Sequence, residues 1–397
     1  MIVSGYQGYC KKRTRAMQDG CATFFKKSSF ECEAVEPVEY FVPGVACLDR
    51  DNVALLLLLR PKSSLLSTGQ TEAGLLCVAN THLLFNPRRG DVKLAQLMKL
   101  FAEIDRLTYQ SCRAGSHHPV LICGDMNIEP FSQLYRFIRR GKLALKGQPA
   151  GKMSGQERTW RRGSHVMMPG FLGQHAGLTD QSQYVCVCQE RLGRVRLQSS
   201  DAVVDDDVPS EEASLSGTVP AHTDDTQEKP IFTQGSGTVS HKFGLHSVYS
   251  HRMKDGDDMG RRRSKLAREV TTCHKRANCT VDYIFYTPSV SDVNHSDNDR
   301  RDSPSETTRS SDESPEDEGC KLSALESAVS STSGDKSVSQ QSSVISANEA
   351  ACDYRLTLIA RLKLLSDKEM KQIGHLPNKF IASDHLILAA QFMLTSS

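Results

Sequence analysis

The sequence predicts an α/β layered domain, and three observations support this prediction. The runs DNVALLLLL at 51–59 and GLLCVANTHLL at 74–84 are apolar over the length of a buried strand. Apolar residues then recur at helical spacing through DVKLAQLMKLFAEIDRL at 91–107, before another apolar run at 119–123. Strands that are buried on both faces and alternate with helices are typical of a sheet covered by helices.

The remaining elements continue this alternation. Asp91, directly after Gly90, is the predicted N-cap of the long helix. A short helix is predicted at 132–139. Two strands follow, CTVDYIFY at 279–286 and HLILAAQFML, and we predict that the second of them begins at His385.

Composition divides the chain into apolar blocks and polar stretches. The polar stretches are rich in Ser, Asp and Glu and cannot bury enough apolar surface to offset chain entropy. We therefore predict a single discontinuous domain over 1–397, with ordered blocks at about 1–155, 241–287 and 352–395, a polar insertion at 196–240 and a disordered Ser/Asp-rich insertion at 287–350.

Charge, hydropathy and cysteine content restrict the class of protein. The formal net charge of +2 gives no whole-chain attraction to nucleic acid or membrane. No apolar run approaches the roughly 20 residues of a membrane span, and the N-terminus lacks the apolar core of a signal peptide. The 13 cysteines are odd in number and form no C-x-x-C pair, which indicates reduced thiols. We expect no membrane partner and a cytoplasmic location, with the nucleus as a second option.

Four polar clusters lie in or at the ends of predicted strands: Asn80-Thr81-His82, Gly124-Asp125-Met126-Asn127, Asp282, and Ser383-Asp384-His385. Each cluster alone has a structural explanation, since GDMN could be an Asx-type turn and a strand histidine is more often a core residue than a catalyst. However, a buried Asp282 carboxylate needs a partner, and His385 is the predicted one. An Asp–His pair beside an Asp–Asn pair suits phosphoryl chemistry with a metal ion.

In this order, the motifs NTHL, GDMN, TVDYIFY and SDH resemble the endonuclease/exonuclease/phosphatase superfamily. The flanking segments CVANTHLLFNPRRGDVKLAQL, SVYSH and LPN are similar to its angel branch, which is related to the yeast-type mRNA deadenylases and nocturnin. The resemblance implies a DNase I-like four-layered α/β sandwich with two central mixed sheets. It also implies a Mg²⁺-dependent phosphoesterase, with Mn²⁺ as an alternative ion, that acts on RNA 3′ ends as a 3′–5′ exoribonuclease or a 2′,3′-cyclic phosphatase.

The resemblance assigns catalytic roles to matching positions. Asp125 would position or deprotonate the attacking water, and Asn127 would orient that water or the phosphate. His385, held by Asp282, would hydrogen-bond a phosphate oxygen, and His82 would contact the phosphate near the leaving group.

Further positions would contact the metal and the substrate. Asp384 would lie in the coordination shell of the metal, directly or through water. The turn at Asn86 and Pro87 would border the terminal nucleotide, and Arg88 and Arg89 could meet the RNA backbone. A solvated loop is an equally good interpretation of these two arginines.

The chain departs from the family pattern in two places. The glutamate of an early LQE strand, which chiefly holds the metal in this family, has no counterpart, so we expect the N-terminal strands to be missing, a sheet edge to be exposed and the activity to be very low. The aromatic residue that stacks on adenine in the deadenylases is also absent from HKRANCTVD, which makes poly(A) selectivity doubtful. The alternative function is therefore a catalytically impaired product that acts as a non-enzymatic RNA-associated or regulatory protein.

Overall fold

The computed structural model describes residues 2–62, 74–110, 116–157, 165–200, 233–249, 269–274, 277–288 and 354–396. All of these residues belong to one compact unit. The predicted disordered insertion at 287–350 lies outside the described residues from position 289 onward, and so do residues 201–232 of the predicted polar insertion.

The described residues form short strands and four α-helices. In chain order, the strands are β1 (Ile2–Val3), β2 (Tyr6–Lys12), β3 (Gly20–Lys26), β4 (Phe30–Glu39), β5 (Val53–Pro61), β6 (Leu76–His82), β7 (Tyr109–Gln110), β8 (Ser116–His117), β9 (Val120–Asp125), β10 (Lys142–Ala144), β11 (Thr238–Ser240), β12 (His246–Ser247), β13 (Glu269–Val270), β14 (Thr272–His274), β15 (Ala277–Cys279), β16 (Asp282–Tyr286), β17 (Tyr354–Arg361), β18 (Leu365–Ser366) and β19 (Ala390–Ser396). The helices are α1 (Gly90–Thr108), α2 (Gln133–Arg140), α3 (Val185–Ser200) and α4 (Asp367–Ile373). No helix within the described ranges is long and apolar enough to cross a membrane.

A six-stranded mixed sheet forms the centre of the fold, in the spatial order β12–β16–β9–β6–β5–β4. Strands β6 and β9 run parallel, whereas the other neighbours are antiparallel. Strand β5 is buried on both faces, as its sequence predicts. Because side chains alternate along a strand, Leu56 and Leu58 pack in the helical core with α1, while Leu55 and Leu57 pack against Phe25 of β3.

The helix α1 covers one face of the central sheet. Leu94, Leu97 and Phe101 lie in the main core, which confirms the predicted apolar face. The N-cap prediction was wrong, because Asp91 lies within the first turn of α1. Its carboxylate instead accepts two hydrogen bonds of 2.8–2.9 Å from the Arg89 guanidinium. The predicted short helix is present as α2, and Ser132 caps it.

The opposite face of the central sheet is covered by strands. The three-stranded sheet β1–β2–β3 packs near β5 and β6, and the ribbon of β17 and β19 packs near β9 and β16. In this second layer, Phe392 of β19 contacts the Tyr286 ring at a centroid distance of 5.0 Å. The described residues therefore form a mixed α/β fold with one large sheet, and the second layer consists of two separate small sheets.

The predicted strand start at His385 was wrong. The strand β19 begins at Ala390, and His385 lies in a preceding segment that is anchored to β14. The Thr272 hydroxyl donates a hydrogen bond of 2.7 Å to the Asp384 carbonyl, which draws this segment away from the β17–β19 ladder. Ile387, in the first half of the apolar run, is consequently 75% exposed.

The strand β4 forms one edge of the central sheet and alternates between partly buried and exposed residues. Its exposed positions are rich in glutamate. The exposed Glu33 and Glu39 form ion pairs with Arg60 and Lys11, and the partly buried Glu36 forms one with Arg106.

Gly124 occupies a position in β9 that excludes any larger residue. Its φ is 137°, and a Cβ atom would lie 1.9 Å from the Thr81 carbonyl oxygen. We expect Gly124→Ala to lower the free energy of unfolding by about 3 kcal/mol, because both strain and overlap must be relieved. Chemical denaturation measures this loss. In the control Gly44→Ala, φ is also positive at 78° but the space is open, so a loss as large as that of Gly124→Ala would contradict the steric argument.

Candidate active site

The candidate site lies at one end of three adjacent strands of the central sheet, β6, β9 and β16. Asp125 ends β9 and is the direct neighbour of His82, which ends the parallel strand β6. On its other side, Asp125 is paired with Asp282, which begins β16. The His82 Nε2 atom lies 3.4 Å from an Asp125 carboxylate oxygen. Backbone pairing therefore brings these three predicted site residues together.

The predicted partnership between Asp282 and His385 is present in the structure. The His385 Nδ1 atom lies 2.7 Å from the Asp282 carboxylate. This hydrogen bond raises the pKa of His385 to about 9, so the imidazole is protonated at neutral pH. The backbone N–H of His385 donates to the Ser383 hydroxyl at 3.0 Å, and the following N–H, of Leu386, donates to the Thr271 carbonyl at 2.7 Å. The ring is thus fixed from both its side chain and its backbone.

Asp125 is largely shielded from solvent at the centre of the cluster. Burial raises the pKa of its carboxyl to about 6, and the nearby negative charge of Asp282 acts in the same direction. His82 and the backbone N–H of Asn127, which donates at 2.8 Å, act in the opposite direction. A carboxyl group with a pKa near neutrality can accept a proton from water at physiological pH, which is what a general base requires.

Asn127 supports the site from within the core. It is 2% exposed, has a φ of 50°, and donates from its side-chain amide to the Leu83 carbonyl at 3.1 Å. Its carbonyl accepts a hydrogen bond of 2.6 Å from the buried ammonium of Lys93 in α1, which also donates to Gln156. These contacts fix the turn that follows Asp125, and the side-chain amide of Asn127 is already engaged by the protein.

The sequence prediction did not include Lys93. Burial lowers the pKa of its ammonium group to about 7, while the Asp125 charge opposes this shift. The sequence does indicate that Lys93 is buried, because it lies four residues before Leu97 and hence on the apolar face of α1. Lysines on helices are usually read as solvated, whereas a lysine on a buried face needs polar partners.

Asp125, Asp282 and His385 form a group that could hold a metal ion, since one ligand atom from each lies within 4.8 Å of the others. Two carboxylates match the oxygen preference of Mg²⁺, and a divalent cation would offset the repulsion between them. The two carboxylates therefore fit a divalent cation, whereas the protonated imidazole of His385 has no free lone pair to coordinate it. Asp384, the predicted metal ligand, is outside this group: its side chain is 68% exposed, and its carboxylate lies 3.9 Å from the His385 Nε2 atom.

The predicted substrate-binding segment follows His82 and is well ordered by local contacts. The Asn86 side chain accepts a hydrogen bond of 3.0 Å from the Arg88 backbone N–H, which closes the turn at Pro87. The Arg88 side chain is 59% exposed, and among the described residues its only ion pair is a long contact of 3.7 Å with Glu157. Arg89, in contrast, is held by the carboxylate in the first turn of α1. Arg88 is therefore the more available of the two cations.

The arrangement can be compared with known proteins. The profile of the Endonuclease/Exonuclease/phosphatase family matches residues 3–312 of the chain. The chain belongs to the endonuclease/exonuclease/phosphatase family. Within this family, its relatives at about 35% identity are angel homologs, which confirms the resemblance to the angel branch.

Individual members of the family align over nearly the whole chain. Protein angel homolog 2 of Danio rerio is 35% identical over 390 residues, covering 98% of this chain and 52% of that protein. Protein angel homolog 1 of Homo sapiens is 34% identical over 414 residues, covering 98% of this chain and 52% of that protein. The chain thus spans about half the length of the curated relatives it matches.

Solved structures of the same family carry information on the fold. The crystal structure of ANGEL2, a 2′,3′-cyclic phosphatase, in complex with adenosine-2′,3′-vanadate matches with a TM-score of 0.61 and 32% identity. It covers 98% of this chain and 74% of that chain. This similarity supports the mixed α/β fold of the DNase I-like type.

Proposed function

We propose that this chain is a Mg²⁺-dependent phosphoesterase that hydrolyses 2′,3′-cyclic phosphates at RNA 3′ ends. The observation that carries the proposal is the position of Asp125, with a pKa near neutrality, between His82 and the Asp282–His385 pair. The complex of the related ANGEL2 with adenosine-2′,3′-vanadate supports the choice of substrate. The missing adenine-stacking aromatic weighs against the 3′–5′ deadenylase alternative.

In the proposed mechanism, Asp125 accepts a proton from the water whose oxygen attacks the phosphorus. The protonated His385 donates a hydrogen bond to a phosphate oxygen and stabilises the charge that develops there, while Asp282 fixes the ring. The bond between phosphorus and one ribose oxygen breaks, and that oxygen takes up a proton from solvent. His82 lies on the other side of Asp125 and would contact the phosphate near this leaving oxygen. Mg²⁺, or Mn²⁺ in its place, bound near Asp125 and Asp282 would neutralise phosphate charge.

We also propose a larger architecture and a location. The small sheets β1–β3 and β17–β19 would form part of the second sheet of a four-layered sandwich, and the protein would act in the cytoplasm or the nucleus. The competing function, a non-enzymatic RNA-associated or regulatory protein, is favoured by one observation. Within the described ranges, the group that could hold a metal contains no glutamate.

Single-turnover hydrolysis tests the proposal. The 397-residue chain, in excess over an RNA that ends in a 2′,3′-cyclic phosphate, should remove that phosphate with Mg²⁺ or Mn²⁺ and not with EDTA. An oligo(A) tail with a 3′-hydroxyl end should remain at full length, and ANGEL2 serves as the positive control. Binding of the cyclic-phosphate RNA without turnover under any of these conditions would support the non-enzymatic function instead.

A further inference from the structure

A polar cavity of about 240 Å³ lies at the end of the central strands that is opposite to the candidate active site. His117 and His118 line it just before Val120, the first residue of β9. Thr287 lines it just after the last residue of β16. Asp125 lies at the far end of β9, roughly 17 Å away at about 3.3 Å per residue. The cavity is therefore distinct from the catalytic cluster.

The walls of this cavity are held by hydrogen bonds and ring contacts. The Thr287 hydroxyl accepts a hydrogen bond of 2.9 Å from the Val120 N–H, and the Thr287 N–H donates to the Val120 carbonyl at 3.0 Å. The His117 ring packs edge-on against Phe243 at 5.1 Å, and its Nε2 atom lies 2.9 Å from the buried Asp105 carboxylate. The cavity is thus formed by rigid elements.

The charge of the lining is one-sided. The charged side chains that line the cavity are those of Lys242 and Arg355, and no aspartate or glutamate lines it. Within the part of the chain that the structure describes, neither Lys242 nor Arg355 forms an ion pair or a side-chain hydrogen bond. Arg106, in contrast, forms ion pairs with Glu36 and Glu103. Two uncompensated cations beside a polar cavity create a positive potential that favours an anion.

We propose that this cavity binds a phosphate group through Lys242 and Arg355. Phosphate offers several acceptor oxygens, which suit the planar fork of an arginine and the point charge of a lysine. The group could belong to the backbone of the RNA substrate upstream of its 3′ end or to a free nucleotide. The first source rests on the proposed function, whereas the second does not.

Equilibrium binding to the 397-residue chain tests the proposal without any need for turnover. A fluorescent 12-nucleotide RNA is titrated in EDTA at several salt concentrations, and adenosine monophosphate is titrated by calorimetry. The variants are Lys242→Ala and Arg355→Ala, with Lys27→Ala as a control for an exposed lysine in the turn between β3 and β4. Each exposed or half-exposed side chain can be removed without loss of core packing, and a thermal melt verifies folding.

We expect each cavity variant to raise the Kd several-fold while Lys27→Ala leaves it unchanged. If the ligand is RNA backbone, only RNA binding weakens, and the slope of log K against log salt falls by about 0.7 per lost phosphate contact. If the ligand is a free nucleotide, adenosine monophosphate binding weakens as well. The proposal would be overturned if the cavity variants bound both probes as tightly as Lys27→Ala does. It would also be overturned if the unmodified chain bound neither probe. Because binding is measured in EDTA without turnover, a chain that binds RNA through this cavity but hydrolyses no 2′,3′-cyclic phosphate would refute the proposed function alone.

Discussion

Asp125→Asn should reduce single-turnover hydrolysis of a 2′,3′-cyclic phosphate by about 10³-fold or more. Asparagine keeps the shape of the side chain and can still accept from the Asn127 N–H, but it cannot take a proton from water. General-base catalysis contributes roughly 10²–10⁴-fold to a rate. The pKa of Asp125 is raised to about 6 in the metal-free chain, and a cation beside it would lower this pKa, so the rate of the unmodified chain should rise with pH up to about that value as the carboxyl loses its proton.

Two measurements separate this catalytic role from a structural one. The pH–rate profile of Asp125→Asn should lack the rise near pH 6, and its melting temperature should not fall, since removing one of two neighbouring buried carboxylates relieves repulsion. Asp49→Asn, at an exposed aspartate outside the cluster, should retain full activity. An Asp125→Asn rate within tenfold of the unmodified chain would remove Asp125 from the mechanism.

Asp282→Asn should lower the rate by about 10²-fold and shift the titration of His385. The hydrogen bond from Asp282 is the main reason that the pKa of His385 is raised to about 9, so this pKa should return toward the ordinary histidine value of about 6.5. Only about a quarter of the imidazole would then be protonated at pH 7, and the ring would also lose the partner that orients it. The alkaline limb of the pH–rate profile should therefore move to lower pH.

The same pair has a predictable effect on stability. Because the folded pKa of His385 lies above the unfolded value, the pair contributes stability that is fully present below about pH 6.5 and is lost as pH rises through about 9. Asp282→Asn should remove this pH dependence. NMR titration of the His385 ring, assigned with His385→Gln, measures the pKa directly. An unchanged pKa in Asp282→Asn would show that the 2.7 Å hydrogen bond does not control the ring.

The core of the candidate site could be predicted from sequence, since its physical cause is local. A carboxylate within an apolar strand needs a partner, and this requirement predicts His385 as the partner of Asp282. The proximity of His82 and Asp125 follows from two neighbouring strands that end in polar motifs. The orientation of Asn127 could not be predicted, because it depends on a carbonyl of another loop and on the ammonium of Lys93.

The fold shows a similar division between local and distant causes. The buried strand β5 and the amphipathic helix α1 carry their patterns in continuous sequence, and both were predicted within a few residues. The first residue of the last strand could not be predicted, because an apolar run does not reveal which neighbouring strand it pairs with. Here the Thr272 hydroxyl donates a hydrogen bond to the Asp384 carbonyl, and the pairing of β19 with β17 begins only at Ala390.

The glutamates of β4 have a consequence for how copies of the protein behave in concentrated solution. An edge strand presents unpaired backbone groups that can recruit the same edge of another molecule. Pro37 has no N–H to offer such an edge, and the ion pairs of Glu33, Glu36 and Glu39 place charged side chains beside the strand. A second copy would have to desolvate these charged groups in order to pair with β4, so this edge resists self-association even in concentrated solution.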